Sequence, residues 1–224
     1  TLTISGKGEM ADYGFGNSPW YSDESIKKIV VENGVTSIGV SAFEYCDGLV
    51  SVEIPDSVKN IGNCAFFDCG ILSSVTLSES LTSVGAYAFA QCKRLYTIEF
   101  PESLTSIGEY AFGGTGWITA QRKANPLVIV NDILIDGTAS KRKVTIPENV
   151  KSIGNGAFYD CNAMTAITFP DSLINIGERA FWSCDGLTSV EIPENVTSIG
   201  DYAFYNCKAL EEITIENEEC EIFN

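Results

Sequence analysis

One 23-residue sentence is written repeatedly along this chain, and nothing else in it constrains the fold so strongly. Aligned on Leu49, Leu72 and Leu187, it reads L-x-x-I-x-I-P-x-x-V-x-x-I-G-x-x-A-F-x-x-C-x-x. A fixed period of this size belongs to solenoids, in which each unit covers its apolar side chains only with those of its neighbours. Units begin at Ile26, Leu49, Leu72, Leu95, Lys141, Met164, Leu187 and Leu210. Cysteine keeps the register at Cys46, Cys69 and Cys92, and again at Cys161, Cys184 and Cys207. Thr115 occupies the slot between the two sets.

Within a unit, L-x-x-I-x-I alternates apolar and polar residues as a half-buried strand does, for example at Leu49, Val52 and Ile54 or at Leu95, Ile98 and Phe100. Proline closes that strand at Pro55, Pro101, Pro147, Pro170 and Pro193, because it has no amide hydrogen for the ladder. The V-x-x-I-G segment is expected to turn back along the far side, its glycine taking a backbone conformation that side chains disfavour. A-F-x-x-C reads as a short helical turn that drops Phe and Cys inward. The expected fold is an α/β-type repeat solenoid, mostly β in content, with a parallel sheet on one face and short helical turns and loops on the other.

The repeat divides the chain as follows. Residues 1–25 do not repeat and read as an N-terminal cap, with Leu2, Thr3 and Ile4 alternating like a strand and Trp20 and Tyr21 reaching toward the first unit. Residues 26–117 hold four repeats, 141–209 three more, and 210–224 the truncated start of another. Residues 118–140 fill one period but break the pattern. There, Leu127-Val128-Ile129-Val130, Asn131-Asp132 and Ile133-Leu134-Ile135 suggest a β-hairpin. Lys141, Arg142 and Lys143 follow it as the one basic cluster of the chain, either a recognition site or part of an internal bend.

Composition narrows the chemistry. Fourteen Lys and Arg against thirty Asp and Glu give a formal charge of −16, which repels nucleic-acid backbones and anionic membranes. No run of about 18 apolar residues is present to span a bilayer. Histidine is absent, which removes the usual serine and cysteine triads and the commonest neutral-pH general base. Phosphate-loop and dinucleotide glycine motifs are missing too, and most carboxylates recur at fixed repeat positions, as on a solvated face. No enzyme activity and no cofactor are expected. Six of the eight cysteines share one inward position and read as buried thiols, with disulfides or metal ligation as the alternatives. Cys64 and Cys220 stand outside that slot and are the reactive candidates.

Three surface rows could carry recognition. The first is the strand face, with Glu53, Glu99 and Glu191 among hydroxyl side chains. The second is an acidic ladder at Asp56, Glu79, Glu102, Glu148, Asp171 and Glu194, where cations could relieve repulsion. The third is aromatic, at Tyr159, Trp182 and Tyr205 on successive units, with Tyr87, Tyr110 and Tyr202 recurring three residues earlier in the repeat.

The units I-P-x-x-V-x-x-I-G-x-x-A-F-x-x-C, clearest at 54–69 and 192–207, resemble the BspA-type leucine-rich repeat family, and the interruption at 125–137 is similar to one found between such repeats. The resemblance implies a right-handed leucine-rich-repeat coil carried by a secreted or surface-attached bacterial protein. It also implies adhesion to matrix proteins, other cells or extracellular polymers, without shared catalytic residues. Partners are then expected to be proteins or glycans, with no nucleic acid and no direct membrane insertion, and a monomer is favoured. The alternatives are a structural spacer in a larger surface protein, or a carbohydrate-binding module of an extracellular enzyme.

Overall fold

A computed structural model describes residues 1–223. The chain forms two compact units, 1–121 and 122–224 by sequence.

In the first unit, the I-x-I segments pair in parallel in the order Leu2–Ile4, Lys28–Val31, Ser51–Glu53, Ser74–Thr76. Register follows the repeat, with Ile29 opposite Val52 and Val52 opposite Val75. A second parallel sheet was not expected from the sequence. The V-x-x-I-G segments build it as Gly8–Glu9, Val35–Ile38, Asn60–Ile61, Ser83–Val84 and Ser106–Ile107. Each of these strands is only two to four residues long, too short to show the period-2 alternation that marks a strand in sequence. Both ladders begin in the non-repeating N-terminal segment, so the first full repeat has paired neighbours on both faces.

The A-F-x-x-C segments are stacked turns rather than helices. Their amides reach the next rung: Phe43 N–H bonds Ala65 O at 2.8 Å, Phe66 N–H bonds Ala88 O at 2.8 Å, and Phe89 N–H bonds Ala111 O at 2.8 Å. A helical turn would spend these donors within itself, whereas the open turn uses them to join rungs. The turn bends through left-handed residues, Cys64 at φ 55° and Asp68 at 53°, and this places the phenylalanine inside. Phe43, Phe66, Phe89 and Phe112 stack face to face at 5.4, 5.1 and 5.6 Å. Cys46, Cys69 and Cys92 lie beside them, fully buried and unbridged.

The repeat glycine corrects an expectation. Gly62, Gly85 and Gly108 have no left-handed φ; the strained positions are two residues later. What these glycines supply is space. A β-carbon on Gly62 would lie 2.6 Å from Val40 N and 2.8 Å from Gly39 C, which is backbone of the preceding rung. Gly85 and Gly108 face the same obstruction at 2.6 and 2.3 Å. Gly62→Ala is therefore expected to cost about 1–3 kcal/mol by forcing two rungs apart. Urea denaturation checks this, and an unchanged midpoint would show that the rungs can give way.

One α-helix, Gly116–Ala124, is present among the described residues. Thr115 starts it: its Oγ1 accepts the Ile118 N–H at 3.1 Å, the geometry of a side-chain N-cap. Arg122 and Lys123 stand at its carbonyl end, where positive charge is favoured. Trp117 packs on Phe100 and Phe112 at 5.1 and 5.7 Å, and its N–H bonds Leu95 O at 2.8 Å.

The second unit opens with an antiparallel hairpin, Val128–Val130 against Ile133–Asp136. Asn131, at φ 55°, supplies the left-handed residue of its tight turn. Ile133–Asp136 then heads a parallel ladder continued by Ser152–Ile153, Asn175–Ile176, Ser198–Ile199 and Glu221–Ile222. On the other face are two two-stranded sheets, Arg142–Thr145 with Met164–Thr168 and Ser189–Ile192 with Glu212–Ile215. Phe158, Phe181 and Phe204 repeat the internal ring stack at 5.1 and 5.0 Å.

Candidate binding surfaces

The strand face is less continuous than the sequence suggests. Glu53 lies on Ser51–Glu53 and takes an ion pair from Lys28 at 2.6 Å. Both side chains are well exposed, so the pair adds little stability. Glu99 does not lie on a strand: residues 95–100 have no ladder. The physical reason is the helix in the following turn, which claims the Leu95 carbonyl through Trp117 and draws Phe100 inward. Glu191 belongs to the second unit, on Ser189–Ile192. It borders a shallow depression of about 360 Å³ with Thr168, Phe169, Asp171, Ser189 and Glu216.

The acidic ladder is made of turn residues, of which the Asp56 carboxylate bonds the backbone of the next rung. Asp56 Oδ1 accepts the Glu79 N–H at 3.0 Å, and Glu216 Oε2 accepts that of Glu194 at 3.2 Å. Among the described residues no group of three acidic, cysteine or histidine side chains is placed to hold a metal ion.

The aromatic row converges into a single surface. Tyr159 stacks on Trp182 at 6.1 Å with ring planes 6° apart, and Trp182 meets Tyr205 at 4.4 Å. Tyr202 joins edge-on, 5.8 Å from both Trp182 and Tyr205. The Arg179 guanidinium lies 5.7 Å from the Trp182 ring and 5.9 Å from Tyr202, and pairs with Glu178 at 2.8 Å. Two local features cause this. The left-handed φ of Arg179 (52°) and Tyr202 (57°) turns those side chains outward, and rung spacing brings equivalent positions within ring contact. Tyr205 is 53% exposed and Tyr202 45%. They are large rings presented to solvent while held by neighbours, an arrangement that binds with little loss of side-chain freedom.

The same repeat position behaves differently in the first unit. There it holds Glu44 and Phe67, with Tyr45 5.5 Å from Phe67. Glu44 is completely buried; Oε1 accepts the Gly16 N–H at 2.5 Å, and Oε2 has no protein partner. A carboxylate in a slot otherwise held by aromatic or small residues is the one signal for it in the sequence.

Most of the thiols in the repeat row are buried, whereas the half-buried Cys207 has its pKa lowered by hydrogen bonding with Cys184. Cys69, Cys92 and Cys184 donate to Phe43, Phe66 and Phe158 carbonyls of the preceding rung at 3.1, 3.2 and 3.1 Å. Thr115, in the cysteine slot, bonds the Phe112 carbonyl of its own turn instead, which frees its oxygen to cap the helix. Burial, and then the charge of Glu44, raise the pKa of Cys64. Cys220 is raised as well, by burial and then Glu221. Both shifts disfavour the thiolate, against the expectation from sequence.

Comparison with known proteins agrees with this architecture. The family model for the BspA type leucine rich repeat region matches in six copies, over residues 15–134 and 134–224. A leucine-rich repeat protein from Eubacterium ventriosum has a similar structure, with TM-score 0.52 and 28% identity over 96% of this chain and 68% of that one. A leucine-rich repeat protein from Bacteroides ovatus is 29% identical over 84% of this chain and 45% of that one, with TM-score 0.44. The leucine-rich repeat protein of T. pallidum is 26% identical over 94% and 86%, with TM-score 0.47. Comparison with curated proteins gives no match.

Proposed function

We propose that this chain, which belongs to the BspA-type leucine-rich repeat family, is a non-catalytic recognition module of a secreted or surface-attached protein, binding a protein partner in adhesion. The observation that carries this reading is the aromatic surface of Tyr159, Trp182, Tyr202 and Tyr205. Aromatic side chains concentrated at one place dominate binding energy, because they bury large area with few torsions to freeze. Glu191 and the depression beside it supply polar contacts in the same unit, and Glu53 and Glu99 do so in the first. The net charge of −16 favours partners with basic surfaces and selects against nucleic acid. Among the described residues, no helix is long and apolar enough to cross a membrane.

Trp182→Ala tests the assignment. Against the strongest binder found among extracellular matrix proteins, affinity is expected to fall about tenfold or more, as for a central aromatic contact. Circular dichroism should stay native, since Trp182 sits outside the phenylalanine stack. Unchanged affinity in a folded variant would remove the aromatic surface from the reading. Retained binding to the protein but not to its deglycosylated form would favour the glycan-binding alternative.

A further inference from the structure

We infer that the strand Arg142–Thr145 is a docking edge for an extended acidic peptide, which adds to it as a further strand and places its carboxylates on Lys141 and Lys143. Four observations meet here.

The strand is paired on one side only. It forms a two-stranded sheet with Met164–Thr168, so its other long edge carries no strand among the described residues. Such an edge is a template for main-chain hydrogen bonding. A cavity of about 380 Å³ flanks it, with apolar walls from Pro126, Leu127 and Val144 and a rim of Lys141 and Lys143. Side chains of an added strand alternate in direction, so every second one can enter such a space.

The charge is unspent. Arg122, on the helix, is engaged by Asp136, its Nε donating at 2.9 Å. Lys151 is paired with Asp132 at 2.9 Å. Lys141 and Lys143 have no ion pair among the described residues, and both are exposed. In a chain of charge −16, two adjacent free cations on an open edge select an anionic ligand.

The backbone is set for this. The pairing register shifts between Arg142 and Lys143, and Arg142 holds a left-handed φ of 56°. Bulges of this kind re-aim the side chains that follow them, and strain of this kind gathers at binding sites. Ser140 also lines the cavity, and its hydroxyl is buried without a protein partner. An acceptor brought by the ligand would satisfy it.

This edge is distinct from the aromatic surface, so either assignment can fail without the other. The test uses the full chain and a fluorescein-labelled peptide of alternating Glu and Val, followed by anisotropy. Saturable binding is expected, weakened by added salt. K141E/K143E should weaken it about tenfold or more at an unchanged melting temperature. A peptide N-methylated on the edge-facing amides should bind no better than background, since strand addition depends on those hydrogens. Binding that is absent, or indifferent to the charge reversal, overturns the proposal. So does equal binding of the N-methylated peptide, or binding of heparin to the Lys pair in place of the peptide, either of which makes the edge a plain polyanion site.

Discussion

Phe66→Ala is expected to lower stability by about 3–5 kcal/mol, the cost of truncating a large ring in a packed core. The ring is fully buried between Phe43 and Phe89, with planes 18° and 9° from theirs. Its removal leaves a void that the rungs cannot close, because their backbones are held together by Phe43 N–H to Ala65 O and Phe66 N–H to Ala88 O. The effect spreads beyond one site, since a rung keeps its conformation only against its neighbours. Phe66→Leu keeps most of the apolar burial and loses the ring stack, so it should cost about 1–2 kcal/mol. Urea denaturation with far-ultraviolet circular dichroism reads both. A loss below about 1 kcal/mol for the alanine variant would mean that the stack is not the structural spine described above.

Alkaline pH should also weaken the fold. The pKa values of Cys46, Cys69 and Cys184 are all raised above the ordinary 9.0. For Cys46 the main cause is hydrogen bonding in the thiol row with Cys69, and then burial. For Cys69 it is burial. For Cys184 it is hydrogen bonding with Cys161 and Cys207, and then burial. All three are inaccessible to water. A group whose pKa is raised by folding contributes its full stability below the unfolded value, here about 9. Above that pH the unfolded chain releases protons that the folded chain retains, so stability falls. Cys207, half-buried in the same row, opposes this in part, because hydrogen bonding with Cys184 lowers its pKa. Denaturation at pH 8 and pH 10 under reducing conditions measures the net loss. Replacing the three cysteines with alanine should flatten most of the pH slope, even if the variant starts from lower stability. An equal slope in that variant would place the alkaline sensitivity elsewhere.

The cysteine row also shows how far the sequence could be read. Its period, its partnership with phenylalanine and the lack of close cysteine pairs are enough to expect buried thiols; five of the six are buried, Cys207 is only half-buried, and the eight cysteines are unbridged. The carbonyl that each thiol finds on the preceding rung was not legible, because it depends on the turn conformation and not on residue type. The same limit explains the second sheet. A strand of two residues, such as Asn60–Ile61, is too short for alternation to show, and only stacking on its equivalents makes it a strand. The repeat glycine was recognised as special for the wrong reason. From one sequence, a glycine required for φ and one required for space look alike.

The interruption was read in part. Two apolar β-rich runs around Asn131 and Asp132 signalled the hairpin. The helix Gly116–Ala124 was missed, although its cap Thr115 and its basic end Arg122 and Lys123 were visible. In the cysteine slot Thr115 reads first as a break in the row, which masks its role as a helix cap. Among surface residues, Tyr159, Trp182 and Tyr205 do come together as their spacing implied. Glu99 falls away from any strand, since its place in a ladder depended on what the next turn would be.

Recognition of a protein partner is the central claim, and solid-phase binding of the intact, labelled chain to an array of extracellular matrix proteins tests it most directly. The account predicts saturable binding to at least one protein, surviving enzymatic removal of its glycans and lost with Trp182→Ala. No saturable binding to any of them would contradict it, and would leave the repeats as a spacer that holds other parts of a surface protein in place.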